Sequence, residues 1–338
     1  MKRLIAGGAA SHAPARTNAL AHALVCTLSF AVAVGMSASS VAAEPDCNHS
    51  RACLADTMSA YLQALLKHDA ASLQTERNVK YTENGVRITM GDGLWQTAAA
   101  MPTYRLDLID EEAGQVALLG RISENGNNNW FAVRLKVEAD HKVSQIETLI
   151  NRSISPGPGG GPLGNKANAE PHPLMAQTIP ANKQMSRADL ARISNTYFSG
   201  LDEEDSGRNV PFSPDCQRRE NGTVTANNPD AEKGSMPWMG CKAQFDTGFS
   251  VIVTDIRERR FEVVDRTKGL AFGWGYFDHN GTHDKFSRTP DHAMADVPPM
   301  FRQPISFYIA EVFKVMDGQI RQIEAVLTTV PYQMESGW

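Results

Sequence analysis

The sequence predicts an α+β protein made of two tandem copies of one unit, each a curved antiparallel sheet wrapped around N-terminal helices. Three observations carry the prediction. Each half opens on a helical apolar pattern, and each then runs through strands alternating apolar and polar residues into a long terminal hairpin. The two halves also align with each other in unbroken order.

The first 43 residues stand outside this scheme. They hold three basic residues (Lys2, Arg3, Arg16), no acid, an apolar run from about Leu24 to Met36 and "VAA" ending at Ala43. This is the pattern of a secretory signal, with a retained membrane anchor as the alternative given the long stretch before the apolar run. Taking 43 from 338 leaves 295 residues with 30 basic and 38 acidic side chains, a net charge near −8. That balance argues against nucleic acid or an acidic membrane surface as the main partner.

The first unit, 44–152, begins with "LADTMSAYLQALLKHDAASL", where Leu54, Met58, Tyr61, Leu62 and Leu65 recur at helical spacing. Residues 153–185 are dense in Pro and Gly and read as a linker. The second unit, 186–338, begins with "SRADLARISNTYFSGLDEED", in which Ser186 can cap a helix carrying Leu190, Ile193, Tyr197 and Leu201. Tyr61 aligns with Tyr197 and Asp69 with Asp205 at an offset of 136, and Glu83-Asn84-Gly85 with Glu220-Asn221-Gly222 at 137. "DEEAGQVALLGRISENG" from Asp110 aligns with "DRTKGLAFGWGYFDHNG" from Asp265 at an offset of 155. "FAVRLKVEADHKVSQIETLI" aligns with "IAEVFKVMDGQIRQIEAVLT", placing Ile146-Glu147 on Ile323-Glu324. Each Glu-Asn-Gly is then the same turn used twice. The second copy gains roughly 18 residues before Asp265 and about 23 before Phe307; long insertions lie over loops, where ligand sites and lids occur. The second unit is the expected seat of function.

Cys26 falls in the leader, leaving Cys47, Cys53, Cys216 and Cys241, an even number in an exported chain. Local bonds Cys47–Cys53 and Cys216–Cys241 are expected, although four cysteines allow three pairings. A four-cysteine zinc site lacks the C-x-x-C spacing. The histidines of "DHNGTHDKFSRTPDH" (His279, His283, His292) have no helix or strand to fix them as ligands, so neither a metal nor another cofactor is expected. There is no Gly-rich phosphate loop and no Gly-x-Ser-x-Gly elbow. "NGT" at Asn221 and Asn280 matters as a glycosylation acceptor only in a eukaryotic secretory pathway.

In the strand from Phe307, the residues Phe307, Ile309, Glu311, Phe313 and Val315 share one face. Lys314, on the opposite face, is expected to point to water, which puts Glu311 among the phenylalanines. A carboxyl so placed loses hydration in its charged form and should have a raised pKa. The first copy has Val133 at this position. Gln244 and Asp246, beside Cys241, are candidate substrate contacts, with strand-end capping the alternative for Asp246. His279 ends a strand in which Gly273 and Gly275 leave room for a ligand, though a solvated turn histidine is the simpler reading. Phe313 and Trp274 complete the expected lining of the site.

On "YLQALLKHDAASL", "YFSGLDEED", "VKYTENG" and "EVFKVMDGQIRQIEAV", the chain resembles the nuclear transport factor 2-like superfamily, including SnoaL-like and ketosteroid-isomerase-like proteins. The resemblance spans both halves but not the insertions, and implies two cone-shaped domains. Ketosteroid isomerases place a neutral acid, a tyrosine and an aspartate base at positions that fall here on Glu311, Tyr197 and Glu220. Both acids are Glu here, one methylene longer. Each residue has a plainer role open to it. Tyr197 can simply pack, Glu220 can be a turn carboxylate, and Glu311 can pair with Arg302 or Arg321 or turn outward through a bulge.

These readings combine into a periplasmic or secreted, cofactor-free isomerase or dehydratase-type lyase acting on a small, largely apolar carbonyl or hydroxyl compound. The alternative is a non-catalytic carrier of a hydrophobic small molecule. A third role is assembly, the two copies forming a pseudo-dimer within one chain, with no membrane insertion once the leader is removed.

Overall fold

The computed structural model describes residues 47–152, 170–203, 206–288 and 292–338. The leader at 1–43, the linker core at 153–169 and Asp205 lie outside them. The described residues form one compact unit of mixed α+β structure, with few helices and curled sheets.

The first half runs α1 (Arg51–Leu66), β1 (Thr75–Glu83), β2 (Val86–Arg87), α2 (Leu94–Thr97), β3 (Ala98–Ala100), β4 (Arg105–Asp110), β5 (Gln115–Glu124), β6 (Asn127–Val137) and β7 (Val143–Asn151). After α3 (Pro173–Ala176), the second runs α4 (Arg187–Asp202), β8 (Phe212–Glu220), β9 (Thr223–Ala226), α5 (Cys241–Phe245), β10 (Asp255–Asp265) and β11 (Leu270–His279). It ends with β12 (Lys285–Ser287), β13 (Met294–Asp296), β14 (Ile305–Met316) and β15 (Gln319–Val330). One sheet is ordered β2-β1-β7-β6-β5, with β3 and β4 both pairing β5; the other is β9-β8-β15-β14-β11-β10. Apart from β3, the two orders match strand for strand. Neither sheet is purely antiparallel as expected, because closing each meander brings its last strand alongside the first in the same direction, β1 with β7 and β8 with β15. The same bulge bends both, between Lys136 and Val137 and between Lys314 and Val315.

Local chemistry explains the element ends. Ser50 and Ser186 cap α1 and α4, their hydroxyls accepting from the N–H groups of Cys53 (3.3 Å) and Asp189 (3.0 Å). Asn84-Gly85 and Asn221-Gly222 have positive φ (49° and 79°; 45° and 79°), as a two-residue hairpin turn requires. Each Asn side chain also bridges to the neighbouring strand: Asn84 accepts from Ile150 N at 2.7 Å, and Asn221 from Leu327 N at 3.1 Å. The disulfides are Cys47–Cys53 and Cys216–Cys241, with Cα separations of 5.6 and 5.8 Å.

One face of each sheet packs on its own helix. Leu54, Met58, Tyr61 and Leu62 of α1 meet Phe131, Val133 and Ile146, and Leu190, Tyr197 and Phe198 of α4 meet Phe277, Phe307 and Phe313. The other faces pack on each other, bringing Leu106, Leu119, Trp130 and Leu149 against Phe272, Trp274, Tyr308 and Val312. The contacts across this join are reciprocal. Asp110 accepts from Val264 N (2.8 Å) and Asp265 from Ile109 N (3.1 Å). Arg187, the first residue of α4, pairs with Asp110 at 2.9 Å, and Arg51, the first of α1, with Asp265 at 2.5 Å. The Tyr308 hydroxyl donates to Glu147 and the Tyr104 hydroxyl to Glu324.

Two expectations are corrected. Lys314 does not reach water: it is buried, donating to Gln177 O and Lys268 O at 2.5 Å each, because the segment after α3 and the β10–β11 turn close over that end of β14. Burial pulls its amine down to about 8, against the pull of Asp265. The second concerns the linker, whose last part is folded. Met175 is buried between the sheets and Ile179 N donates to Thr267 O at 2.7 Å, since "PLMAQTI" supplies apolar anchors that the Pro-Gly stretch lacks.

Candidate functional site

The site is built on one row across four strands. Glu220 of β8 is registered with Ala325 of β15, Ala325 with Glu311 of β14, and Glu311 with Gly273 of β11. Neighbouring strands lie roughly 4.8 Å apart, so the backbones of the two glutamates stand about 10 Å apart with only a methyl group between them. Side chains of four or five heavy atoms converge easily across such a gap. The β14 parity is as expected: Phe307, Ile309, Phe313 and Val315 lie on the helix side with Glu311, while Tyr308, Ala310 and Val312 face the first half.

Glu311 is 2 % exposed. Burial raises its pKa and the Glu220 carboxylate raises it further, while Arg218 and the Tyr197 hydroxyl work in the opposite direction; the outcome is about 8. Tyr197, on α4, is buried against Phe313 and Phe245, with ring centroids 5.2 and 5.0 Å away, and burial holds its hydroxyl well above the ordinary phenol value.

Between these groups lies Arg218, which sequence reasoning missed. Its guanidinium donates to Tyr197 Oη (3.1 Å), Gln244 Oε1 (2.7 Å) and Thr225 Oγ1 (3.0 Å), and lies 3.6 Å from Glu220. Burial opposes its charge, but Glu220, Tyr197 and Glu311 outweigh that and keep it protonated. The signal was available: in "CQRRE" alternate residues share a face, so Cys216, Arg218 and Glu220 point inward together. Arg219 points the other way, 3.6 Å from Glu324. Neither arginine considered as a partner for Glu311 meets it, since Arg302 donates to Val297 O and Arg321 to Asp215.

The other expected residues divide. Gln244 joins the cluster, buried, accepting from Arg218 and donating to Thr225 O and Met236 O, with α5 tied to β8 by Cys216–Cys241. Phe313 belongs through its packing on Tyr197. Asp246 does not. Its half-exposed carboxylate caps a loop, accepting from Gly207 N (3.1 Å) and Lys242 Nζ (2.5 Å), because it follows the end of α5 and points away from the sheet. Trp274 is on the wrong face: strand parity puts it between the sheets, 5.7 Å from the Tyr308 ring.

His279 is on the right face but six residues along β11 from Gly273, roughly 20 Å at strand rise. It is no solvated turn histidine. It is buried beside Phe301 and Phe307, its Nδ1 lies 2.8 Å from Ile252 O, and burial lowers its pKa to about 4. The two insertions, one carrying Ile252 and the other Phe301, cover it. The room expected at Gly273 is taken by rings, since a Cβ there would lie 2.8 Å from Phe261 and 3.0 Å from Phe198. Among the described residues, the group close enough to share a metal ion is Cys47, Cys53 and His141, whose two sulfurs are joined to each other.

The same row in the first half reads Glu83, Thr148, Val133. Glu83 accepts from Leu94 N at 2.7 Å and pairs with Arg152 at 2.7 Å, and Tyr81 stands where Arg218 stands in the second half. The row in the second half carries two carboxyls where that in the first carries one; Arg152 joins Glu83 instead to Glu124, which lies off the row.

No curated protein matches the chain. A family model described as a domain of unknown function, DUF8021, matches residues 183–327, the part that contains this cluster. Among solved structures, the chain is similar to an NTF2-like protein of unknown function from Cytophaga hutchinsonii, at 12% identity over 29% of this chain and 88% of that one, with a TM-score of 0.24.

Proposed function

We propose that the chain is an exported, cofactor-independent acid–base catalyst that isomerises or dehydrates a small, largely apolar carbonyl or hydroxyl compound. Its frame would be two nuclear transport factor 2-like domains paired back to back, a reading supported by the matching strand orders and the reciprocal contacts at the join. Export is supported by the two disulfides. Among the described residues no helix is long and apolar enough to cross a membrane.

The observation that carries the mechanism is the pair Glu220 and Glu311 in one row, one beside a guanidinium and the other buried with a pKa near 8. A buried acid held neutral in the same row as a second carboxyl is what acid–base chemistry at neutral pH needs. Glu220 takes a proton from the carbon next to a carbonyl. Neutral Glu311 and the Tyr197 hydroxyl donate hydrogen bonds to the oxygen that becomes negative. In isomerisation Glu220 returns the proton to a different carbon. In elimination Glu311 gives its proton to the departing hydroxyl, which leaves as water. Arg218 and Gln244 hold the Tyr197 hydroxyl and Glu220 in place.

The test is incubation in D₂O with a panel of apolar ketones and hydroxy-ketones, read by mass spectrometry, for the wild type and Glu220→Gln. Deuterium uptake or loss of water that vanishes in the variant supports the reading. Saturable binding with no exchange by the wild type refutes it in favour of a carrier, the reading favoured by the aromatic lining of Phe198, Phe261, Phe277 and Phe313.

A further inference from the structure

The two disulfides of the molecule are of opposite kinds. Cys216 and Cys241 are both buried in the core of the second half. In the first half Cys47 is buried, but Cys53 is only half-buried and meets solvent. Cys53 is the third residue of the 16-residue helix α1, whose first turn holds no acid. The N–H groups of that turn carry the positive end of the helix dipole. His141, in the turn between β6 and β7, places Nδ1 3.5 Å from Cys53 Sγ. Of the acids on the flanking elements, Glu111 accepts from the Arg51 N–H at 3.2 Å and exposed Asp140 pairs with Lys142. The backbone inside the bond is bent hard, since Asn48 and His49 both have positive φ (47° and 49°), which L side chains disfavour.

A thiolate is both the attacking and the leaving group when disulfides exchange, and a helix N-terminus and an imidazole are the surroundings that stabilise one. Here they meet at the sulfur that solvent reaches, with its partner sulfur behind it in the core.

We propose that Cys47–Cys53 is a thiol–disulfide exchange site that oxidises a peptide dithiol. One thiol of the peptide, as thiolate, attacks Cys53 Sγ; the bond to Cys47 breaks, and Cys47 leaves as a thiolate and takes up a proton. The second peptide thiol then attacks the peptide sulfur of the mixed disulfide, closing a disulfide within the peptide and releasing Cys53 as a thiolate. Two electrons pass from the peptide to the pair, and the protons the peptide gives up go to Cys47 and, through solvent, to Cys53. The first turn of α1 and the His141 ring stabilise the departing Cys53 thiolate. The proposal is independent of the catalytic reading of the second half.

The test uses the whole chain with both bonds formed, mixed with a reduced synthetic peptide carrying two cysteines, then quenched in acid, alkylated and mapped cysteine by cysteine by mass spectrometry. Thiols are expected at Cys47 and Cys53 in step with peptide disulfide, and about tenfold or more faster than at Cys216 and Cys241. Peptide trapped in the mixed disulfide should sit on Cys53. His141→Asn suits the positive φ of 67° at that position, and in a glutathione redox buffer it should shift the Cys47–Cys53 equilibrium about tenfold toward the disulfide, because the reduced state loses a hydrogen bond to its thiolate. Equal rates at the two bonds, no peptide disulfide, peptide trapped on Cys47, or an unchanged equilibrium in His141→Asn would each overturn the proposal.

Discussion

The pKa of Glu311 has a consequence for stability that can be measured without a substrate. Unfolded, its carboxyl loses its proton near the ordinary 4.5; folded, it holds that proton to about 8. Between those values the native state binds a proton that the unfolded state does not. Stability is therefore greatest below about 4.5 and falls as pH rises through 8. His279 acts in the opposite sense: its folded pKa of about 4 lies below the ordinary 6.5, so its contribution improves as pH rises between those values. Lys314 also acts oppositely, but above pH 8. Of these three groups only Glu311 changes over the interval from 6.5 to 8. Across those 1.5 units, at about 1.36 kcal/mol each, the wild type should lose roughly 2 kcal/mol. Glu311→Gln keeps the shape of the neutral acid and cannot ionise, so its stability should stay level over the same interval. Urea denaturation at half-unit steps of pH reads this directly. If the variant declined as the wild type does, Glu311 would not be the group that takes up the proton, and its assignment as a neutral acid would fail.

Other outcomes follow from the same geometry. Arg218→Met leaves buried Glu311 and part-buried Glu220 without their cation and should destabilise by about 3–5 kcal/mol in thermal or urea melts; an unaffected melt would mean the guanidinium is not needed there. Ala325→Leu puts a branched side chain between Glu220 and Glu311 and should abolish deuterium exchange, at a stability cost of about 1–3 kcal/mol. Asn221→Ala loses the bridge to β15 and strains a residue at φ 45°, and should cost more stability in urea denaturation than Asn221→Gly, which relieves the strain. Lys314→Met should remove the rise in stability that the wild type shows between pH 8 and 10.5, where the unfolded lysine binds a proton that the folded one does not.

What could be read from sequence was local or periodic. The Asn-Gly turns, the serine caps, the β14 parity and the disulfide pairs depend on residues near one another in the chain or on strand alternation. What could not be read depended on what covers a face. Lys314 was placed toward water because nothing local shows that the segment after α3 and the β10–β11 turn close over it, and Trp274 toward ligand because nothing local shows that a second sheet lies on that side of β11. His279 looked solvated because the residues that bury it, Ile252 and Phe301, come from insertions with no counterpart in the first half. Arg218 was hidden by its neighbour: an Arg-Arg pair reads as charged surface until alternation assigns one side chain to each face of the sheet.

The doubled contacts at the join, Arg51 with Asp265 and Arg187 with Asp110, are those by which two identical subunits would recognise each other. In such a pair every substitution is made twice, and a change that suits one interior is imposed on the other. A single continuous chain releases that constraint. Here Val133 stands apolar where Glu311 is acidic, and the insertions lie over one half only, while both halves supply the shared core.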